Sequence, residues 1–211
     1  MPLKRLLALL LSAALLLPAL YACSEQTEES GDVSRSAGTD ADALAQVQHY
    51  LDYYKEHPFT SYREVVAVYA LGVSFDGYDF SALEPDEKAG TGEKAGAAIA
   101  GALLEKAGVA GGPDAAAYAA ELAALSGDEL AALDTETLCD VALALLCTGQ
   151  AHDPSLFVDE LESRQVRGGG IAAVKPVSAD DIIVADPGAT PAAMTVFAEY
   201  KSRTEGTVYD N

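Results

Sequence analysis

Two cysteines, an aspartate and a histidine fall within fourteen residues of each other, at Cys139, Asp140, Cys147 and His152. These are side-chain types that bridge chains or hold metal ions. Their spacing works against both uses. Cys139 and Cys147 sit on what reads as one helix, so their eight-residue separation corresponds to about 12 Å along its axis at 1.5 Å per residue. A disulfide tolerates a Cα separation of only about 7 Å, and both thiols are expected to serve as small buried hydrophobes. His152 follows a helix stop, and Asp153 beside it is placed to cap the next helix. The chain has no nucleophile elbow, phosphate loop or zinc-protease helix. The glycine runs Gly111-Gly112 and Gly168-Gly169-Gly170 do not stand between a strand and a helix, and they read as turns. No metal site and no cofactor site is expected.

The aromatic residues are less evenly spread. Nine of the 15 Tyr and Phe residues lie between Tyr50 and Phe80. In one reading Tyr54, Phe59, Tyr69 and Phe80 pack a first helical hairpin. In the other, some of the tyrosines line a concave face and stack on a planar or apolar ligand, since tyrosine offers a large apolar body with a polar tip. The candidate ligand-binding residues are Tyr50, Tyr62 and Tyr69, together with Asp140, the one charge on an otherwise apolar helix. His49 and His57 flank the Tyr-rich helix end but have no further ligand type beside them. The absence of Trp weakens a carbohydrate reading.

The elements that must position these residues are helical. Alanine and leucine dominate from residue 41 onward, and β-branched runs are scarce. Leu44, Val47, Leu51 and Tyr54 recur at spacings of three and four, which predicts an amphipathic helix. Ser61-Tyr62-Arg63-Glu64 is a capping box, and the helix it opens stops at Gly72. A third helix is expected from about Glu93 to Ala107, with Gly108 as its stop. Pro113 is expected to open a fourth. Further helices are predicted over 135–147, over 154–164 behind Asp153-Pro154, and from Thr190-Pro191 to about Ser202. Any strand is confined to 171–184, where Val174, Val177, Ile182, Ile183 and Val184 cluster. The stops at Gly72, Gly108 and Gly149 are 36 and 41 residues apart. A period of that size points to stacked helical hairpins. Helix 137–147 is apolar on nearly every side and must be covered on most of its circumference.

The amino-terminal end carries a different message. Lys4-Arg5 precedes an apolar run from Leu6 to Leu20 interrupted by Ser12 and Pro18, the layout of an export signal. The run falls short of the roughly 20 residues that span a bilayer as a helix. It ends Leu20-Tyr21-Ala22-Cys23, which resembles the lipobox of bacterial lipoproteins at Leu20, Ala22 and Cys23, with a bulkier Tyr21 than that motif usually carries. The resemblance implies cleavage before Cys23, lipidation of that cysteine, and anchoring on the extracytoplasmic face of a membrane. Two or more acyl chains are needed for stable anchoring, because each buried methylene contributes only about 0.8 kcal/mol. Residues 24–40 are almost devoid of apolar side chains and are expected to form a disordered acidic tether that lifts the domain off the membrane. The expected organisation is a signal peptide over 1–22, a tether over 23–40, a helical repeat domain over 41–205 and a short tail over 206–211. The chain carries a formal charge of -20, and removal of Lys4 and Arg5 with the signal takes it to -22. Such a surface repels nucleic acid and anionic lipid headgroups, and it excludes DNA or RNA as a partner.

Three stretches of the helical part resemble one fold family. They are Ser61 to Gly72 followed by Gly77-Tyr78-Asp79-Phe80, then Leu161 to Ile171, then Asp186 to Tyr200. Gln165 and Gly169 stand where the family's repeat motif has glutamine and glycine, and Ile171 stands where it has an aromatic residue. Asp186, Thr190, Ala193 and Met194 resemble the helix start that follows. The family is the α/α toroids, which include squalene cyclases, protein prenyltransferase β subunits and transcobalamin-like carriers, and above all exported bacterial proteins with repeats of that type. In those exported proteins a Trp usually fills the place of Arg63. The resemblance implies an all-α fold, a partial α/α toroid of stacked hairpins. Seven helices make an arc rather than a closed ring. The uncovered end then invites a second copy or a partner protein on a surface that includes Met194 and Phe197.

The family's chemistry does not carry over intact. Cyclases of this fold use Asp-x-Asp-Asp to protonate a polyene, and the nearest match, Ser178-Ala179-Asp180-Asp181, has serine in the first place. The prenyltransferase zinc needs Asp-x-Cys, and Cys139-Asp140 runs in the wrong order. The expected function is therefore a non-enzymatic, membrane-anchored module for a small ligand or a surface protein. An isoprenoid-processing enzyme, degenerate or active, is the alternative.

Overall fold

The computed structural model describes residues 40–176 and 184–203. The signal segment, Cys23, the tether up to residue 39, Asp180-Asp181 and the tail lie outside the described residues. Eight α-helices occur among those described: α1 (Asp40–Glu56), α2 (Tyr62–Leu71), α3 (Thr91–Lys106), α4 (Ala115–Ala123), α5 (Gly127–Ala132), α6 (Thr135–Thr148), α7 (Pro154–Glu162) and α8 (Ala189–Arg203). A single 3-10 turn spans Ser81–Leu83. No strand is present among the described residues, and the one β feature is an isolated antiparallel bridge between Gln165 and Ile171. The fold is all-α. Val177, Ile182 and Ile183 of the β-branched stretch are outside the described residues, and Val174 and Val184 at its two ends are exposed.

Within the span expected to form one domain, the chain groups into two compact units. The first holds the residues up to Glu84 together with Leu103–Gly112; the second holds Pro85–Ala102 and the residues from Pro113 onward.

In the first unit, α2 starts and stops where its sequence dictates. Glu64 Oε2 accepts the backbone N–H groups of Thr60 and Ser61 at 2.8 and 3.1 Å, and Ser61 Oγ accepts that of Arg63 at 3.2 Å. Gly72 then takes a left-handed conformation (φ 68°) and donates to Tyr69 O, which ends the helix without the steric cost a side chain would bring. The predicted stripe on α1 is covered only in its second half. Leu51 is buried, whereas Leu44 is 69% exposed. Phe59 is fully buried and is the centre of a ring cluster. It stacks on Tyr54 and Phe80 with centroids at 4.7 and 5.4 Å, and meets Tyr78 edge-on at 5.4 Å. Its amide donates to Asp79 O at 2.9 Å, which fixes the loop that carries two of those rings.

In the second unit, every residue from Ala95 to Ala102 is buried. The side chains there are small because neighbouring backbone comes close. A Cβ at Gly101 would collide with the carbonyl oxygen of Pro113 and crowd Ala115 Cβ at 3.1 Å. The start of α4 corrects one expectation: Asp114 is the N-cap, its side chain accepting from Ala117 N, so Pro113 stands one residue outside. A second correction is α5, which the sequence reading merges into its surroundings. It is a six-residue helix with a full capping box between Ser126 and Glu129 and a single buried residue, Leu130, too short to show a period. The central helix is α6, with Leu138, Cys139, Val141, Ala142, Ala144, Leu145 and Leu146 buried, in line with its apolar circumference.

The packing in this unit alternates. Helix α6 packs on α4 and on α8, while α5 packs on α7, and α7 touches α6 and α8. Alternate helices thus form two rows, α4–α6–α8 and α5–α7. The inward stripe of α8 is Ala189, Ala193, Val196 and Tyr200, all buried. Met194 is 64% exposed and Phe197 is half-buried, so the area left for a second copy is smaller than the sequence suggests.

Candidate functional site

The four candidate ligand-binding residues do not form one cluster within a unit. Tyr50, Tyr62 and Tyr69 belong to the first unit and Asp140 to the second. Tyr50 is 63% exposed on α1, beside His49. Tyr62 opens α2 with the Arg63 guanidinium 5.5 Å from its ring centroid. Tyr69 is exposed on the same helix and takes no part in the buried ring cluster. Asp140 is half-buried on α6. Cys23 is outside the described residues.

The concavity that the first unit does build is a half-open hollow of about 380 Å³ with a mostly polar lining. Its wall is the loop Val73 to Phe80 and its far side is the backbone of Ala107 to Ala110, just past the end of α3. Gly77, Tyr78 and Phe80 of the stretch Gly77-Tyr78-Asp79-Phe80 are part of that wall. Phe75 and Phe80, with ring centroids 5.8 Å apart, are both buried and fix the loop from behind. Asp76 is the one acid lining the hollow; its Oδ2 accepts from Ser74 Oγ at 2.7 Å. The loop from Val73 follows the end of α2 at Leu71, and Ala107 to Ala110 follows the end of α3 at Lys106. Behind the hollow, burial first and the Glu64 carboxylate second push the Tyr54 phenol up to about 12.

The second unit holds a polar cluster that no local pattern signals. Arg164 is fully buried. Its Nε and Nη2 both donate to Glu160 Oε1 at 3.0 Å, its Nη1 to Thr135 Oγ1 at 3.0 Å and its Nη2 to Ala131 O at 3.3 Å. Thr135 Oγ1 in turn donates to Ala172 O at 2.6 Å, and Lys175 pairs with the other Glu160 oxygen. One guanidinium therefore ties the end of α5, the start of α6, the end of α7 and the segment after it. Ala131 lies in the last turn of α5, where carbonyls lack helical partners. This is a structural lock, closed on all sides. Ala172 N donates back to Arg164 O at 3.0 Å, and Thr190 Oγ1 accepts from Ile171 N at 3.0 Å, joining the stretch around Gln165 to the start of α8.

His152 is also held structurally. Gln150 O can only accept, so His152 Nδ1 donates to it at 2.7 Å, and Nε2 is hydrogen-bonded with the Tyr200 hydroxyl at 2.9 Å. Its ring meets Phe157 edge-on at 5.9 Å. Cys139 is fully buried and its thiol is pushed up to about 12, by burial first and then by Asp140. A thiol in that state is not a nucleophile at neutral pH. No disulfide joins Cys139 and Cys147. Among the described residues no group of three or more His, Cys, Asp and Glu could hold a metal ion, and no helix is long and apolar enough to cross a membrane. No protein-family model, curated protein or solved structure matches the chain.

Proposed function

We propose that this chain is an exported lipoprotein, held by lipid on Cys23, whose helical part is a non-enzymatic toroid-like module for a small apolar or planar ligand or a protein partner. The observation that carries the reading is the run Leu6 to Leu20 followed by Leu20-Tyr21-Ala22-Cys23. A positive start, a short apolar run and a cysteine at its end have one economical use together. The hairpin part of the reading draws support from the two alternating rows of the second unit, the packing expected where each hairpin covers its neighbour. The binding part draws support from the hollow beside the first unit's ring cluster. Cys139 offers no thiolate to hold a prenyltransferase-type zinc. This favours binding over prenyl transfer.

The test is location. Cells making the full chain are treated with protease from outside after removal of any outer layer, alongside cells making Cys23→Ala. The wild type is expected in the membrane pellet and open to the protease, and the variant in the soluble fraction. A wild-type chain shielded from external protease would overturn the reading.

A further inference from the structure

One face of α1 is unpartnered, and its residues are of an unusual kind for so acidic a chain. Gln46, Tyr50, Tyr53 and His57 follow each other at spacings of four, three and four, so they form one stripe along the helix, with His49 on its edge. All five are exposed, Tyr50 by 63% and Tyr53 by 50%. The ring of His57 lies flat on that of Tyr53, with centroids 4.0 Å apart and planes 6° from parallel, and its Nδ1 bonds to Tyr53 O at 2.9 Å. The second half of the stripe is therefore a fixed aromatic surface. Between Gln46 and Tyr53 it carries no carboxylate, although the chain has 33 acids; Asp42 and Glu56 flank it. Asp52 is turned to Gln48 and Lys55, with bonds of 2.9 Å to each.

We infer that this face of α1 rests on the headgroup layer of the membrane to which Cys23 anchors the chain. The inference rests on the lipoprotein reading. Sixteen residues separate Cys23 from Asp40, and Gly/Ser-type linkers of that length have a mean span of about 20–24 Å. The 17 residues of α1 are about 25 Å long at 1.5 Å per residue. The first helix is thus confined within roughly its own length of the bilayer surface. Tyrosine is enriched at that depth because its ring is apolar and its hydroxyl stays wet. The stripe has no aliphatic residue to insert more deeply, so contact is at the headgroups. Self-repulsion at a formal charge of -20 disfavours a second copy and anionic headgroups alike, so the occupant is a zwitterionic headgroup layer.

The test compares amide exchange in α1 between the full lipidated chain in phosphatidylcholine nanodiscs and Cys23→Ala in solution. Exchange over 44–57 is expected to slow about tenfold in the nanodiscs, with exchange in α6 unchanged as the measure of an intact fold. Joint replacement Tyr50→Asp and Tyr53→Asp in the lipidated chain is expected to remove the protection. Palmitate labelling is followed in the same samples. A labelled chain whose α1 exchanges as fast as in solution overturns this inference alone. A chain that takes no label overturns the anchoring reading and this inference with it. Protection that appears in Cys23→Ala as its concentration rises means that a second copy covers the face, which also overturns it.

Discussion

Arg164 is the side chain on which the second unit depends most. It is fully buried, and Glu160 is only 11% exposed, so removal of the guanidinium takes the partner from one Glu160 oxygen and from the Ala131 carbonyl, leaving Lys175 on the other Glu160 oxygen and Thr135 on Ala172 O. Breaking one partner of such a pair costs about 3–5 kcal/mol. Arg164→Ala is expected to lower the urea midpoint by the equivalent of that loss. Arg164→Lys is expected to recover only part of it, because an ammonium cannot replace a fork that bonds three groups. A midpoint within error of wild type for Arg164→Ala would show that the lock contributes nothing. The caps give a second prediction at this scale. The carboxyls of Asp134, Asp153, Glu129 and Asp79 all lie below their ordinary values. In Asp153, Glu129 and Asp79 the cause is hydrogen bonding from Ser155, Ser126 and Ser81. In Asp134 burial pulls upward and is outweighed by bonds from Thr137 and its neighbours. A lowered folded value means that the ionised form is favoured on folding. The stabilisation is full above the ordinary values of 3.8 for Asp and 4.5 for Glu, and is lost as pH falls through the folded values. Thermal melts between pH 6 and 2 are expected to stay level down to about 4.5 and then to fall, with a shallower fall in Asp134→Asn.

At the level of elements, most boundaries were legible because they depend on neighbouring residues alone. Ser61 and Glu64, Gly72, Gly149 and Asp153-Pro154 each act within a turn of their own position, and each marks an end observed in the structure. What could not be read depends on distant partners. Arg164 looks like an ordinary helix-end cation until Thr135, 29 residues away, and Ala131 are brought against it. The α1 stripe looked uniform, yet nothing in the local pattern indicates that Leu44 is left uncovered while Leu51 is buried. The hollow was half legible: Gly77-Tyr78-Asp79-Phe80 stood out, but Ala107 to Ala110 carries no chemical signal and joins it only through the fold. Gly101 belongs to the same class, since a glycine inside α3 reads as a weakness. Gly101→Ala raises helix propensity by about 1 kcal/mol, so a local view expects stabilisation. The backbone of Pro113 occupies the space the methyl group needs, so the variant is expected to melt lower than wild type. A higher melting temperature would mean that the two segments are not as close as described.

For the whole molecule, the two halves of the account rest on different kinds of observation. The all-α fold and the alternating rows of the second unit are properties of the described residues. Anchoring rests on the first 23 residues, which lie outside them, and on the logic of an apolar run that ends in cysteine. On the proposed reading, anchoring would set a binding module at a membrane surface, where it would meet its ligand. The measurement that tests this most directly is labelled-palmitate incorporation into the full chain and into Cys23→Ala, followed by membrane fractionation. The account predicts label and membrane retention in the wild type and the loss of both in the variant. An unlabelled wild type, with Cys23→Ala still bound to the membrane, would contradict it.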